Sequence, residues 1–200
     1  MQNDRTLKFW DDYHAKECNK EWILHPTNDL LRVIYSHFPK KNCNDTGTLR
    51  ILEIGCGTST MARDLWQHIK QEEENWKVEM CATDVSPICI GVNQERDALI
   101  LAESDKRAQE CPPCSTLRYR VLNVLDEEPD EKLDADVILD KGCLDTFMFR
   151  SRNRGENHAY ANLLEQVLDN VWRWMSDEGV YLRKEVLVDA TIFFDVGARN

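Results

Sequence analysis

The sequence predicts an α/β fold with a doubly wound, mostly parallel β-sheet, and three observations lead to this prediction. Short apolar runs of β-prone residues alternate along the chain with longer segments whose apolar residues recur at helical spacing. The first apolar run, residues 49–54, leads through Gly55-Cys56-Gly57 into a helix start. The second run, residues 78–84, ends on an acid and is followed by Ser86-Pro87, an N-cap with proline at the first helical position.

The Gly55-Cys56-Gly57 turn is the stretch around which the other elements are arranged. Glycine lets the backbone approach a ligand closely, and the helix N-terminus that follows attracts negative charge. The pattern is not the full dinucleotide fingerprint, because Thr58-Ser59-Thr60 follows and no third glycine arrives. Taken alone, the turn is a weak signal of a cofactor loop, and an ordinary strand-to-helix connection is the alternative.

Asp84 adds a second indication of a cofactor site. In nucleotide-binding α/β folds, an acid at the end of the second strand holds the two hydroxyls of a ribose. The alternative role for this residue is that of a helix-capping or loop aspartate. Together, the glycine turn and Asp84 favour an adenosine-containing ligand.

The helices are predicted from the spacing of their apolar residues. Aromatic residues of the first helix usually pack onto a core, but they can also cover a ligand. In chain order the predicted helices are 5–17 with Phe9, Trp10 and Tyr13; 26–38 with Leu30, Leu31, Ile34 and Phe38; one from about residue 59 with Met61, Leu65 and Ile69; 87–103 with Ile88, Val92, Leu99 and Ile100; and 156–175 with Leu163, Leu164, Val167, Leu168 and Val171.

Five strands are predicted between these helices, with one further strand near the end of the chain. They are residues 49–54, 78–83, 117–124, 136–140 and 180–188, followed by 190–196. A long connection is expected over 104–115, an acidic solvated loop over 126–134 and a turn over 177–179. Because ligands bind outside the carboxyl ends of parallel strands, four polar residues at such ends are expected to converge there. They are Glu53, Asp84, Asn123 and Asp140.

Composition limits the classes of function. With 200 residues and 42% hydrophobic residues, the chain is long and apolar enough for one domain with a sizeable core, and no transmembrane segment is predicted. A formal net charge of −11 argues against nucleic acid as the main partner. The N-terminus lacks the apolar core of a secretory signal, so a cytoplasmic location is expected.

The eight cysteines do not follow the spacing of a secreted disulfide framework, and several lie inside apolar runs, which predicts free thiols in a reducing compartment. Cys111-Pro112-Pro113-Cys114 is one isolated C-x-x-C whose prolines oppose a helix. A zinc site would need two more ligands, so an ordinary loop is favoured and no metal site is predicted.

Three stretches resemble the class I, seven-strand methyltransferases that use S-adenosylmethionine. The first two are residues 51–60 and Ala82-Thr83-Asp84-Val85-Ser86-Pro87. The third, Leu139-Asp140-Lys141-Gly142-Cys143-Leu144-Asp145, resembles the Asp/Glu-Lys-Gly-x-x-Asp signature of a branch containing the lysine methyltransferases of elongation factor 1-alpha and of citrate synthase. Phe9-Trp10-Asp11-Asp12-Tyr13, with Trp22 downstream, is similar to the aromatic N-terminal element of that branch. The resemblance covers residues 8 to about 185.

The resemblance implies a Rossmann-like core and a set of cofactor-binding residues. Glu53, Gly55 and Gly57 would shape the pocket beside the methionine portion, and Asp84 with Val85 would lie at the ribose. Asn123 and Val124 would border the adenine, while Asp140 and Lys141 would lie where the methionine end meets the substrate opening. Trp10 and Tyr13 would cover the cofactor, because an aromatic face stabilises a sulfonium cation.

Two features of the chain depart from the family pattern. Members usually carry an acid where Asn123 stands; an amide oxygen still accepts a hydrogen bond from adenine, but without the charge. The fold normally closes with a C-terminal β-hairpin, whereas residues 183–200 suffice for about one further strand. The expectation is a single domain over 1–200, with a helical aromatic element over 1–48 and a Rossmann-like core over 49–200 that lacks part of this hairpin.

The resemblance implies S-adenosylmethionine as the cofactor and, as the preferred function, methylation of a lysine on a protein substrate. Asp140 or Asp145 is the candidate catalytic residue that orients the amine or leads its proton to solvent, although Asp145 fits a helix N-cap equally well. One alternative is a small-molecule methyltransferase on the same scaffold. Another is a truncated, non-catalytic form that acts as a binding partner. The oligomeric state stays open.

Overall fold

The computed structural model describes residues 2–16, 27–38, 47–72, 77–110, 115–126, 133–147 and 157–183. Helices and strands alternate through these residues, as the pattern of apolar runs predicts. The elements are α1 (Gln2–Lys16), α2 (Thr27–His37), β1 (Thr48–Ile54), α3 (Met61–Glu72), β2 (Lys77–Asp84), α4 (Pro87–Arg96), α5 (Ala98–Glu110), β3 (Thr116–Val121), β4 (Ala135–Asp140), α6 (143–147), α7 (Asn157–Trp174) and β5 (Met175–Arg183).

The five described strands form one parallel sheet in the order β3-β2-β1-β4-β5. The chain builds the sheet outwards from β1 to β3 and then returns to place β4 on the other side of β1. Strand order therefore reverses between β1 and β4, and ligands bind at such a reversal in doubly wound sheets. The predicted fold class, a Rossmann-like parallel α/β sheet, is confirmed.

Both faces of the sheet are covered, which explains the nearly continuous apolar runs of its strands. Ile51 and Met80 belong to a core cluster that includes Ile34 of α2 and Leu65 of α3. Leu52 and Ile138 belong to a second cluster with residues of α7. Successive residues of β1 thus contribute to different clusters, as side chains do along a strand.

The predicted helix over 87–103 is wrong in two respects. It is two helices, α4 and α5, which meet at Asp97. Two residues predicted for its core, Ile88 and Leu99, are exposed, and Leu99 is 88% accessible. The residues that α4 buries are Cys89, Ile90 and Asn93. Asp97, which lies between the two helices, accepts hydrogen bonds on its carboxylate from side chains of three elements, described below.

Two other boundaries differ from the prediction. The connection expected over 104–115 is largely helical, since α5 continues to Glu110. Ser104 of this helix is buried, and its hydroxyl accepts the backbone N–H of Leu117 at 3.3 Å. Strand β3 ends at Val121, so Asn123 and Val124 lie in the turn beyond it. In α7, Leu168 is exposed and not part of the predicted apolar face.

The turn predicted over 177–179 lies inside β5. The strand begins at Met175, and its register with β4 shifts between the Ala135–Met175 and Val137–Val180 pairs, as at a β-bulge. Gly179 is needed there for close packing, because a Cβ at this position would lie 2.8 Å from the carbonyl oxygen of Ala135. The residues predicted for 184–188 and for the further strand over 190–196 lie outside the described residues, as does the C-x-x-C of 111–114.

The described helices include none that is long and apolar enough to cross a membrane. The cysteines of the described segments are free thiols, as predicted for Cys81 and Cys89.

Candidate functional site

The glycine turn after β1 lies at the reversal of strand order. Gly55 and Gly57 have φ of 61° and 55°, the left-handed region that glycine tolerates best. The N–H of Cys56 donates to the carbonyl of Thr83 at 2.8 Å, and the Thr83 hydroxyl donates to the carbonyl of Glu53 at 2.8 Å. These bonds join the ends of β1 and β2 and fix the turn between them. Glu53, two residues before Gly55 in the sequence, is fully buried.

Asp84 lies at the end of β2, and its carboxylate binds the glycine turn directly. One carboxylate oxygen accepts the N–H of Gly57 at 3.0 Å, and the other accepts the N–H of Ser86 at 2.9 Å. The side chain is 7% exposed, and burial raises the pKa of Asp84 against the opposing effect of these backbone donors and of His14. The structure therefore brings the glycine turn and Asp84 into direct contact.

Helix α1 packs over this carboxylate. The Ser86 hydroxyl, which caps α4 by accepting the N–H of Cys89, donates to the Asp11 carboxylate at 2.5 Å. His14 is buried, and its Cε1 atom would lie 3.6 Å from a Cβ built on Gly57. Burial lowers the pKa of His14, although Asp84 and Asp11 act in the opposite direction. His14 was not among the predicted site residues; its position one residue after Tyr13 is the only signal in the sequence.

The predicted aromatic residues of α1 surround this histidine. The Trp10 ring is nearly parallel to that of His14, with centroids 6.0 Å apart and an interplanar angle of 27°. The rings of Tyr13 and His14 meet edge to face at 5.3 Å. Because both rings contact His14, the side chains of Trp10 and Tyr13 lie at the same end of the sheet as Asp84. Phe9, which contacts Trp10, is half exposed.

Asn123 and Val124 are held in the turn after β3. The Asn123 side chain accepts the N–H of Leu125 at 3.1 Å and donates to the Asp126 carboxylate at 3.1 Å. Asn170 of α7 donates from its amide to the carbonyl of Val124 at 3.0 Å. The backbone N–H of Leu122 donates to the carbonyl of Asp84 at 3.0 Å, so this turn is joined to the end of β2.

Asp140, a predicted catalytic residue, is fully engaged within the protein. Its carboxylate accepts the N–H groups of Cys143 at 2.6 Å and Leu144 at 3.2 Å, which caps α6, and the hydroxyl of Tyr181 at 2.7 Å. Burial raises the pKa of Asp140 above its ordinary value, while these donors act to lower it. Asp145, the second predicted catalytic residue, forms an ion pair with Arg183.

Lys141 reaches back towards the glycine turn. Its Nζ atom donates to the Ser59 hydroxyl at 2.6 Å, and that hydroxyl also accepts the N–H of Met61 at the start of α3. The Asp-Lys-Gly signature after β4 and the glycine turn after β1 are therefore in direct contact.

Replacing Tyr181 with phenylalanine is expected to destabilise the fold by about 1.5–3 kcal/mol at neutral pH, because the buried Asp140 carboxylate loses a donor. The hydroxyl favours the charged carboxylate, so its removal raises the pKa of Asp140 further. As pH falls through that pKa, Asp140 becomes neutral and the loss of stability shrinks. Urea unfolding of both proteins at pH 5.0 and 7.5 measures this difference.

In an Asp140→Asn background, the same Tyr181→Phe change should cost little at either pH, since no charge then depends on the hydroxyl. An equal cost in both backgrounds would show that the hydroxyl acts through another group.

His14, Asp84 and Cys89 are the described residues whose potential metal-ligand atoms come together, and these atoms all lie within 4.8 Å of one another. Tetrahedral zinc bonds of about 2.0–2.3 Å place ligand atoms roughly 3.3–3.7 Å apart. The Asp84 oxygens are already turned to the backbone of Gly57 and Ser86. The cluster is accounted for by the packing of α1 on Asp84.

Comparison with known proteins gives distant relatives. No protein-family model matches the chain. It is 23% identical over 146 residues to the mitochondrial citrate synthase-lysine N-methyltransferase of Danio rerio, an alignment that covers 70% of this chain and 53% of the relative. The chain thus spans about half the length of this curated protein.

Two solved structures show the same fold. The CurJ carbon methyltransferase is 18% identical, with a TM-score of 0.50, over 78% of this chain and 34% of that one. Phosphoethanolamine N-methyltransferase 1 of Haemonchus contortus, solved with phosphoethanolamine and S-adenosylhomocysteine, is 18% identical, with a TM-score of 0.50, over 99% of this chain and 36% of that one. At the level of the fold, the predicted resemblance to class I S-adenosylmethionine-dependent methyltransferases is confirmed, because the chain has their Rossmann-like sheet.

Proposed function

We propose that the chain is an S-adenosylmethionine-dependent methyltransferase that methylates a lysine of a protein substrate. The observation that carries this proposal is the bond between the Gly57 N–H and the Asp84 carboxylate at the reversal of strand order. It places a left-handed glycine turn and a buried acid at one point, where doubly wound folds bind nucleosides.

The donors and acceptors at this point suit the cofactor. Each Asp84 oxygen takes one backbone N–H and keeps a further lone pair, so the carboxylate can accept the two hydroxyls of a ribose. Those hydroxyls would offset the burial that raises the pKa of this group. Asn123 and Val124, fixed in the turn after β3, would border the adenine.

When bound, S-adenosylmethionine supplies an electrophilic methyl group on a sulfonium. Trp10 and Tyr13 would present aromatic faces to that cation. Lys141, held against Ser59, would lie beside the methionine end. The bonds of Asp140 to α6 and to Tyr181 support a positioning role for this carboxylate, in which it holds the turn that carries Lys141.

The acceptor must be neutral to react, and a lysine amine has an ordinary pKa of about 10.4. A free carboxylate at the opening would hold the amine in its charged form. Asp145 forms an ion pair with Arg183, and Asp140 accepts three hydrogen bonds from the protein. Because both carboxylates are already bound within the protein, neither has to hold the amine in its charged form. A protein lysine also agrees with the name of the Danio rerio relative.

The purified chain, incubated with methyl-tritiated cofactor and a basic protein extract, is expected to label discrete protein bands that contain methyllysine. Asp84→Ala should abolish the label. Label confined to the small-molecule fraction would instead indicate a small-molecule methyltransferase, and no label in any fraction would favour a non-catalytic binding partner.

A further inference from the structure

Helix α4 buries a polar residue, Asn93, on the side of the helix that faces the protein interior, where apolar residues are usual. Cys89, Asn93 and Asp97 recur at four-residue intervals, and Asn93 is 0% exposed in the interior of the helix. Asparagine is a poor residue for a helix interior, and burying an amide costs free energy unless it is hydrogen-bonded. The Nδ2 atom of Asn93 donates to the carbonyl of Gly57 at 2.7 Å, while its Oδ1 atom is buried with no hydrogen-bond partner among the described residues.

Arg96, three residues later and therefore on the same side of α4, binds the next two carbonyls of the turn. Its Nη1 atom donates to the carbonyl of Thr58 at 2.7 Å, and its Nη2 atom donates to that of Ser59 at 3.0 Å. Three successive carbonyls of the turn are thus held by two side chains of one helix.

Asp97 fixes the guanidinium of Arg96. Its carboxylate accepts Arg96 Nε at 3.3 Å and Nη2 at 3.2 Å, Arg63 Nη1 at 3.0 Å and the Tyr119 hydroxyl at 2.6 Å. Burial alone would raise the pKa of Asp97, but these donors lower it below its ordinary value. The carboxylate therefore stays charged and keeps Arg96 aimed at the turn.

We propose that Asn93, Arg96 and Asp97, which we call the turn clamp, are positioning residues for cofactor binding. The inference rests on the proposed function. Gly57 is held in a left-handed conformation with its N–H on Asp84 and its carbonyl on Asn93. With the carbonyls of 57–59 bound by α4 and the Gly57 N–H bound by Asp84, the turn is held in one fixed conformation. The clamp reduces the conformational cost of binding and touches no reacting atom.

Two matched substitutions separate this role from a general contribution to folding. Arg96→Lys keeps a positive charge beside Asp97 but loses the planar fork that binds both carbonyls of the turn and Asp97 at once. Arg63→Lys makes the same change on the other arginine that binds Asp97. Arg63 bonds Asp64 and Asp97 and has no hydrogen bond to the turn. Arg96→Lys is expected to raise the calorimetric Kd for S-adenosylmethionine about 10-fold, and Arg63→Lys less than about 2-fold. With labelled protein as product, KM for the cofactor should rise and kcat change little.

A second readout does not depend on the cofactor. In hydrogen–deuterium exchange, the amides of residues 56–60 should exchange faster in Arg96→Lys than in Arg63→Lys at equal thermal stability. Equal exchange in the two variants, or equal effects on Kd, would overturn the proposal. If the unaltered chain binds no S-adenosylmethionine, the proposed function fails, while the exchange comparison still decides whether the clamp holds the turn.

Discussion

Asp84→Ala is expected to raise the Kd for S-adenosylmethionine by about 100-fold or more. The carboxylate can accept two hydroxyl bonds from a ribose, and a hydrogen bond to a charged group contributes about 1.5–3 kcal/mol. Losing both therefore costs at least about 3 kcal/mol of binding free energy, which corresponds to a factor above about 100. Equilibrium dialysis with radiolabelled cofactor measures the change.

Asp64→Ala is the matched control for this experiment. Asp64 lies on α3 and bonds Thr60 and Arg63 near the same turn, but its side chain is partly exposed. This variant should bind within about 2-fold of the unaltered chain. A similar loss in both variants, or none in Asp84→Ala, would place the ribose elsewhere. Thermal unfolding of each variant shows whether it is folded.

Gly55→Ala is expected to destabilise the fold by about 2–5 kcal/mol. At φ of 61°, a Cβ costs about 1–2 kcal/mol. The same atom would lie 2.7 Å from the Cβ of Cys143, a contact that only a shift of the backbone after β4 can relieve. Such overpacking adds roughly 1–3 kcal/mol. Urea unfolding measures the difference in free energy.

Gly91→Ala is a control for which the opposite effect on the free energy of unfolding, a stabilisation, is expected. Gly91 lies on the exposed side of α4, and a Cβ there meets no atom within 4 Å. Alanine should stabilise the helix by about 0.5–1 kcal/mol. If Gly55→Ala were as stable as the unaltered chain, the contact between the glycine turn and the signature after β4 would be wrong.

The order of strands and helices could be predicted because it depends on local patterns. Apolar runs mark β1, β2 and β4, and Ser86-Pro87 marks the start of α4. The buried role of Asp97 could not be predicted, because its partners Arg63 and Tyr119 are distant in the sequence. Leu99 has helical spacing, but spacing alone does not show which side of a helix is covered.

The predicted site residues were those with a signature in the sequence. The glycine turn, Asp84 and the Asp-Lys-Gly stretch come together in the structure, as their places at strand ends suggested. Asn93 and Arg96 were missed because polar residues on a helix are usually solvated. The one available signal was an asparagine in the buried four-residue repeat of α4.

Calorimetric titration of the unaltered chain with S-adenosylmethionine tests the central claim most directly, namely that the turn after β1 and Asp84 form a nucleoside-binding site. One molecule of cofactor bound per chain is the predicted result, with S-adenosylhomocysteine competing for the same site. The absence of saturable binding to a folded chain would contradict it, and the methyltransferase fold would then serve another purpose in this protein.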